Sequence, residues 1–381
     1  EENIEVEILI IPDSFKGSLS AKEVAQLMEH TVKAVFPESK CTSMPFSDGG
    51  EGALTVLQRH SNGELIKCLA YDALRRPIKA PYFLFQNKKE VWIELSQTAG
   101  LTLLDKTDLD PLNTSTWGTG KMIEHALENG SEKIYLGIGG SATQDLGSGI
   151  ITALGGRFLD KHDKELPLGG GALYRLKKID LTNMNAKALQ AEWVIACDVQ
   201  NPLLGKEGTA HTYAKQKGAS PSDIDRLEQG GICFAEVVKK QFGIEIHNLV
   251  GGGAAGGVSA GLFALLNASL TEGFELLAQH TGLNDKISKF DLILTGEGSF
   301  DEQSLYGKLP IQVAALAEKS NIRTLIVAGF SKMKTLKKLT QCKIINTTPP
   351  GVAVENAIEN AEKNLRSALT KELEFIKSQN I

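Results

Sequence analysis

The chain has 381 residues, 42% of them apolar and 23% charged, with a net charge of −5. That length exceeds one ordinary core and implies two domains, while the charge balance speaks against a nucleic-acid surface or a binder of anionic membranes. Glycine stands out at 38 residues, well above the usual ~7%, and its clustering points to backbone loops that approach ligands closely.

Val6 to Ile11 is a short apolar run ending at Pro12-Asp13 and reads as a buried strand. Ser20-Ala-Lys-Glu23 is a capping box, followed at helical spacing by Val24, Leu27, Met28, Thr31, Val32 and Val35. Strand, loop and helix make this the first half of a βαβ unit. Leu65–Leu69, Tyr82–Phe85 and Val91–Leu95 look like successive strands without helices between them, which predicts an antiparallel patch. A helix near 117–128, a strand from Lys133 to Ile138, a strand from Trp193 to Cys197 and a helix over about 222–242 follow, and a small-residue helix starts near Gly256. From Asp291 the alternation returns: Leu292–Leu294, Thr324–Ala328 and Lys343–Ile345 are strands separated by helices, and a long helix closes the chain. The expected fold is α/β with two unlike domains. Residues 1–62 and 285–381 would form a doubly wound parallel sheet of Rossmann or flavodoxin type. Residues 63–284 would form an inserted mixed α/β domain with glycine-rich loops, with an active-site cleft between the two.

Five cysteines (Cys41, Cys68, Cys197, Cys233, Cys342) lie far apart without a Cys-x-x-Cys pair, which suits reduced thiols in a cytosolic protein. No apolar run nears the ~20 residues of a membrane span. The opening Glu1-Glu2-Asn3 carries no signal-peptide pattern, so a cytoplasmic location is expected.

Several segments share one design, in which a strand ends and glycine, hydroxyl, amide or carboxylate residues follow: Pro12–Ser18, Gly139–Asp145, Asp198–Pro202, Gly251–Gly257 and Thr295–Asp301, joined by Ser47–Gly52. Ligands of open α/β sheets bind beyond the strands' carboxyl ends. Gly251–Gly257 precedes a helix and is read as a phosphate site in preference to a tight packing element. Gly251-x-Gly253-x-x-Gly256 also matches the dinucleotide fingerprint, and Gly137-x-Gly139-x-x-Ala142 its relaxed form. For the first, Glu272 has the acidic spacing, but Ser269 to Phe274 does not read as a strand. For the second, Asp160 keeps the reading open, although Ser141 and Thr143 suit a carboxylate or phosphoryl group better. A nicotinamide-dependent hydroxy-acid dehydrogenase is therefore one alternative, and a non-catalytic small-acid binding protein another. Walker, His-Glu-x-x-His and Gly-x-Ser-x-Gly motifs are absent.

Phosphoryl transfer needs cations on the phosphates, carboxylates for Mg²⁺ and a carboxylate near the attacking hydroxyl. Lys16, Lys217 and Lys308 supply the first. For any one of them a solvated surface charge is the alternative, and loop position raises Lys16 and Lys308 above it. Asp48, Asp198, Glu297 and Asp301 supply carboxylates, with turn or cap roles as the alternative. Asp198 ends an apolar strand and precedes Asn201-Pro202, a costly place for an idle charge.

In order and spacing these segments resemble the bacterial type-1 glycerate kinase family. The resemblance runs from Ile11-Pro-Asp-Ser-Phe-Lys-Gly-Ser-Leu-Ser-Ala21 through Ser47-Asp-Gly-Gly-Glu-Gly52, Gly139-Gly-Ser-Ala-Thr143, Cys197-Asp-Val-Gln-Asn-Pro-Leu203, Gln216-Lys-Gly-Ala219, Gly253-Ala-Ala-Gly-Gly257 and Thr295-Gly-Glu-Gly298 to Gly307-Lys308. The chain departs from the family's pattern at Gln144-Asp-Leu-Gly147, Ser299 and Ala53. The resemblance implies phosphorylation of D-glycerate to a 2- or 3-phosphoglycerate, with ATP and Mg²⁺ as the cofactors. Small-molecule partners are expected, with no nucleic acid and no membrane, and a homodimer is left open. Asp198 is the expected base and Lys16 the group that neutralises the transferred phosphoryl. Glu297 and Asp301 are expected at the metal or the ribose. The substrate and phosphate set comprises Asp13, Ser14, Asp48, Gly49, Gly50, Gly139, Gly140, Ser141, Thr143, Asn201, Lys217, Gly253, Gly256, Gly257, Gly296, Gly298, Gln303, Ser304 and Lys308, with Ser14, Ser141 and Thr143 on the glycerate carboxylate.

Overall fold

The computed structural model describes residues 6–15, 17–44, 52–305, 308–333, 336 and 339–379, leaving the side chains of residues 302 and 303 aside. In chain order the strands are β1 (Glu7–Ile10), β2 (Lys40–Ser43), β3 (Gly63–Tyr71), β4 (Pro77–Phe85), β5 (Glu90–Glu94), β6 (Lys133–Gly137), β7 (Arg157–Leu159), β8 (Lys178–Asp180), β9 (Glu192–Ala196), β10 (Ser269–Thr271), β11 (Leu292–Phe300), β12 (Arg323–Ser331) and β13 (Cys342–Asn346). The chain divides into two compact units, Glu1–Asp48 with Ala278–Ile381, and Gly49–Leu277.

The first unit is built on the sheet β13-β12-β11-β1-β2, in which every pairing is parallel. Numbered within this sheet, the order is 2-1-3-4-5, the flavodoxin-like arrangement whose strand order reverses between its first and third strands, here β1 and β11. Helix Ala21–Val35 starts at the expected capping box, with Glu23 N donating to Ser20 Oγ at 3.3 Å and Ser20 N to Glu23 Oε2 at 2.8 Å. It buries the anticipated stripe from Val24 to Val35. That stripe packs with Leu365, Leu369 and Leu373 of helix Ala361–Ser378 over Ile8, Ile10, Leu292, Leu294, Leu325 and Val327. On the opposite face Ala314 of helix Leu309–Lys319 packs with Phe300, Ile326 and Ala328. Helices on both faces make this a doubly wound sheet.

The second unit holds the sheet β10-β9-β6-β5-β4-β3 and a two-stranded ribbon of β7 and β8. The predicted antiparallel patch is present as β3, β4 and β5, while β5, β6, β9 and β10 run parallel. The carboxyl ends of those four strands therefore share one edge. One large core, including Ile93, Leu136, Ile195, Phe234, Val258 and Leu262, holds the sheet against helices Trp117–Glu128, Pro221–Phe242 and Ala254–Leu266.

Two expectations need correcting. Ser269–Thr271 is a strand, paired parallel with β9; three residues on a sheet edge are too few to show alternation, and the partner strand supplies the order. Thr295–Phe300 is not a loop beyond a strand end but the continuation of β11, with Glu297 opposite Ala328 and Phe300 opposite Ser331 of β12. Gly296 makes that approach feasible, since a Cβ there would lie 2.1 Å from Val327 O.

Candidate active site

In the second unit, neighbouring parallel strands deliver their following segments side by side. Gly137 of β6 pairs with Glu94 of β5 and with Ala196 of β9, so Gly139–Thr143 emerges between Ser96–Gly100 and Cys197–Asp198. Leu101 N donates to Gly140 O at 2.8 Å and Ala142 N to Ala99 O at 2.7 Å, which fixes the loop. Beneath it lies Lys217, only 2% exposed, whose Nζ donates to Ser141 Oγ at 2.9 Å and to Thr143 O at 2.6 Å. Burial pushes this amine down to about 7, against the opposing pull of the Asp145 charge. Thr143 Oγ1 is buried and has no hydrogen-bond partner.

Asp198 follows β9, half-buried, and its Oδ1 accepts from Gly273 N at 2.8 Å at the start of helix Gly273–His280. Burial raises the neighbouring Cys197 thiol to about 11 and keeps it neutral. Asn201 is engaged internally: its Nδ2 donates to Glu207 O at 2.9 Å, and its Oδ1 accepts from Tyr213 OH at 2.7 Å.

The glycine run bridges these segments. Gly253 N donates to Asn201 O at 3.0 Å, and a Cβ on Gly253 would meet Pro202 O at 2.4 Å. At Gly256 it would meet Thr143 O at 2.1 Å, and at Gly257 the Leu146 side chain at 2.3 Å. Ala255, Gly256 and Gly257 all adopt left-handed backbone, so regular helix begins only after them. The run thus locks the 198–202 and 139–146 segments together. No strand leads into Gly251, since 244–250 is loop, so the dinucleotide fingerprint lacks its upstream half. The relaxed match fails on its other side: Asp160 follows β7, which pairs antiparallel with β8 outside the main sheet.

In the first unit the sheet's reversal point sits between β1 and β11, and cross-links tie their ends. Asp13 N donates to Gly296 O at 2.9 Å and Thr295 Oγ1 to Ile11 O at 2.8 Å. Ser14 N donates to Asp13 Oδ1 at 2.6 Å. Along β11, Glu297 is 7% exposed, its Oε2 paired with Lys308 Nζ at 2.9 Å and its Oε1 buried without a hydrogen-bond partner. Lys308 also donates to the buried Ser304 Oγ at 3.0 Å. Asp301 is exposed, and its N donates to Ser304 Oγ at 3.1 Å. Asp13, Gly296, Glu297, Asp301, Ser304 and Lys308 thus gather at one sheet edge, with Gly298 inside β11. Lys16, Asp48, Gly49 and Gly50 lie outside the described residues, as does the side chain of Gln303.

Among the described residues no group of three or more His, Cys, Asp or Glu is placed to hold a metal. Mg²⁺ asks for less, commonly one or two carboxylates with water and phosphate oxygens completing its shell. The spare, buried Oε1 of Glu297 is a hard oxygen donor of that kind. No helix among the described residues is long and apolar enough to cross a membrane.

Sequence reading missed Asp145 and Glu94. Asp145 is fully buried and accepts from Thr116 N, Gly147 N and Gly149 N at 2.8, 3.1 and 3.2 Å, and from the Ser115 and Thr116 hydroxyls. Burial raises its pKa despite these donors. Glu94 is also fully buried, accepting from Leu54 N and Gln97 Nε2. A carboxylate closing the apolar Val91-Trp-Ile run was the available signal, of the same kind that singled out Asp198.

The glycerate kinase family model matches residues 8–377. A glycerate kinase of Halalkalibacterium halodurans is 39% identical over 84% of this chain and 85% of its own length. A glycerate 2-kinase of Escherichia coli K12 is 38% identical over 85% of both. A solved Salmonella typhimurium LT2 structure, described as glycerate kinase 2, superposes with a TM-score of 0.79 at 35% identity over 99% of each chain.

Proposed function

The chain belongs to the glycerate kinase family, and from that premise we propose that it transfers the γ-phosphoryl of Mg²⁺-ATP to the 2-hydroxyl of D-glycerate. The choice of the 2-position follows the Escherichia coli relative, which is named a 2-kinase. The observation that carries the reading is the buried Lys217–Ser141–Thr143 cluster on the segment after β6, with Asp198 following the neighbouring strand β9. On this reading the cluster receives the anion and Asp198 is the carboxylate that the phosphorylation of a hydroxy acid demands.

In this reading the Ser141 and Thr143 hydroxyls hold the glycerate carboxylate. Asp198, whose Oδ1 accepts from Gly273 N, orients the attacking hydroxyl and accepts its proton. Glu297, with Asp301, would hold Mg²⁺, which when bound neutralises phosphate oxygens. Lys308 and Ser304 bind phosphate oxygens, and Asp13 and Ser14 flank them at the end of β1. Lys16 is assigned to the charge on the transferred group.

The test is ADP release by the purified protein given Mg²⁺-ATP with D-glycerate, with L-glycerate or with neither. Release confined to D-glycerate supports the reading; none with any hydroxy acid would return it to a binding protein. Adding enolase reads the position, because 2-phosphoglycerate is dehydrated at once to an absorbing enol phosphate and the 3-isomer is not.

A further inference from the structure

An ammonium taken out of water needs an anionic partner or must give up its proton. Lys217 is 2% exposed, and among the described residues no carboxylate lies within ion-pair distance of it. Two of its three N–H positions are used, on Ser141 Oγ and Thr143 O. Because Ser141 Oγ accepts from Lys217, its own hydrogen is left to donate elsewhere. Thr143 Oγ1, fully buried, is likewise uncommitted. The loop therefore holds two spare hydroxyls, those of Ser141 and Thr143, beside a buried amine that lacks a counter-anion.

The charged groups around it do not fill that role. Asp145 is the one whose field acts on Lys217, but its oxygens are taken by Thr116, Ser115, Gly147 and Gly149. Leu109 O lies against Gly218, and on that segment Asp110 is occupied by Leu112 N and Asn113 Nδ2. Asp108 on the same segment pairs with Arg76. Lys215, on the same turn, is exposed.

We propose that Lys217 is a positioning residue that makes Gly139–Thr143 a proton-coupled carboxylate receptor. The substrate's carboxylate accepts from Ser141 and Thr143 and supplies the countercharge that allows Lys217 to hold a proton. This deepens the glycerate phosphorylation reading and rests on it. In the free protein the amine, pushed down to about 7, is largely neutral at pH 8, so a carboxylate arriving there brings a proton with it. At pH 6 the proton is already in place.

The KM for D-glycerate should be flat below about pH 7 and rise by up to about tenfold per pH unit above it, while the KM for ATP does not follow. Calorimetry of D-glycerate binding at pH 8, in two buffers of different ionisation enthalpy and with a non-hydrolysable ATP analogue present, should show uptake approaching one proton, falling towards none at pH 6. Lys217→Met should raise the glycerate KM by about 100-fold at pH 6.5, flatten its pH dependence and leave the KM for ATP nearly unchanged. A merely structural lysine would lower kcat and both affinities together. A flat glycerate KM from pH 6 to 9, or binding without proton uptake at pH 8, overturns the proposal even if Lys217→Met fails to fold. Absence of any glycerate-dependent turnover in the wild type would instead remove the underlying reading.

Discussion

Asp198 is held at its strand end by the backbone N–H of Gly273, which donates to Oδ1. Asp198→Asn keeps an oxygen for that bond and removes the charge, so the variant should fold while turnover falls by about 10²-fold or more. Full kcat with unchanged melting would take Asp198 out of the role. Lys217 offers a stability test at the same scale. Its ordinary value is 10.5 and burial brings it to about 7 in the folded chain. Between those values the unfolded chain holds a proton that the folded one lacks, so stability rises with pH across the window, by at most about 1.4 kcal/mol per unit. Urea midpoints at pH 7.5 and 9.5 should therefore draw together in Lys217→Met relative to the wild type; an identical pH response would show that the lysine is not depressed. Asp198 was legible because a charge at the end of an apolar run stands out. Asp145 was not, because an Asp among Gly, Ser and Thr reads as an ordinary turn until two helix starts are seen to converge on it.

Elements were legible where their pattern is local and obscure where a neighbour makes them. The capping box at Ser20 and the stripe behind it determine a helix on their own, whereas the extension of β11 to Phe300 depends on β12, a partner that the local sequence does not reveal. The glycine run shows the same limit. Its spacing favours a phosphate loop, and only the facing backbone of Thr143 and Pro202 reveals the close packing that also constrains it. A paired substitution separates conformation from contact. Gly243 and Gly256 have similar φ of 74° and 72°, but a Cβ on Gly243 meets nothing within 4 Å and one on Gly256 meets Thr143 O at 2.1 Å. Gly243→Ala should cost about 1 kcal/mol, the conformational penalty alone. Gly256→Ala should cost about 3 kcal/mol or more and raise the glycerate KM by displacing the 139–143 loop. Equal losses in urea unfolding would mean that the close approach carries no weight.

At the scale of the whole molecule, alternating strands and helices at both ends of the chain announced a parallel sheet, but strand order could not be read, because pairing β1 with β11 joins residues nearly 300 positions apart. That long-range pairing also makes the first unit depend on the last helix. Leu365, Leu369, Leu373 and Ile376 are buried in the same cluster as Ile8, Leu292 and Leu325. At about 1.5–3 kcal/mol each they contribute roughly 6–12 kcal/mol, comparable to the net stability of a domain. Deleting residues 361–381 should therefore strip hydrogen-exchange protection from β1, β11 and β12. The second unit closes its sheet within one continuous stretch and buries a separate core, so β5, β6 and β9 should retain most of theirs. Loss of protection in both sets alike would mean that the chain unfolds as one cooperative body. Retained protection in β1 and β11 would mean that the sheet is held by its strands and helix Ala21–Val35 without the closing helix.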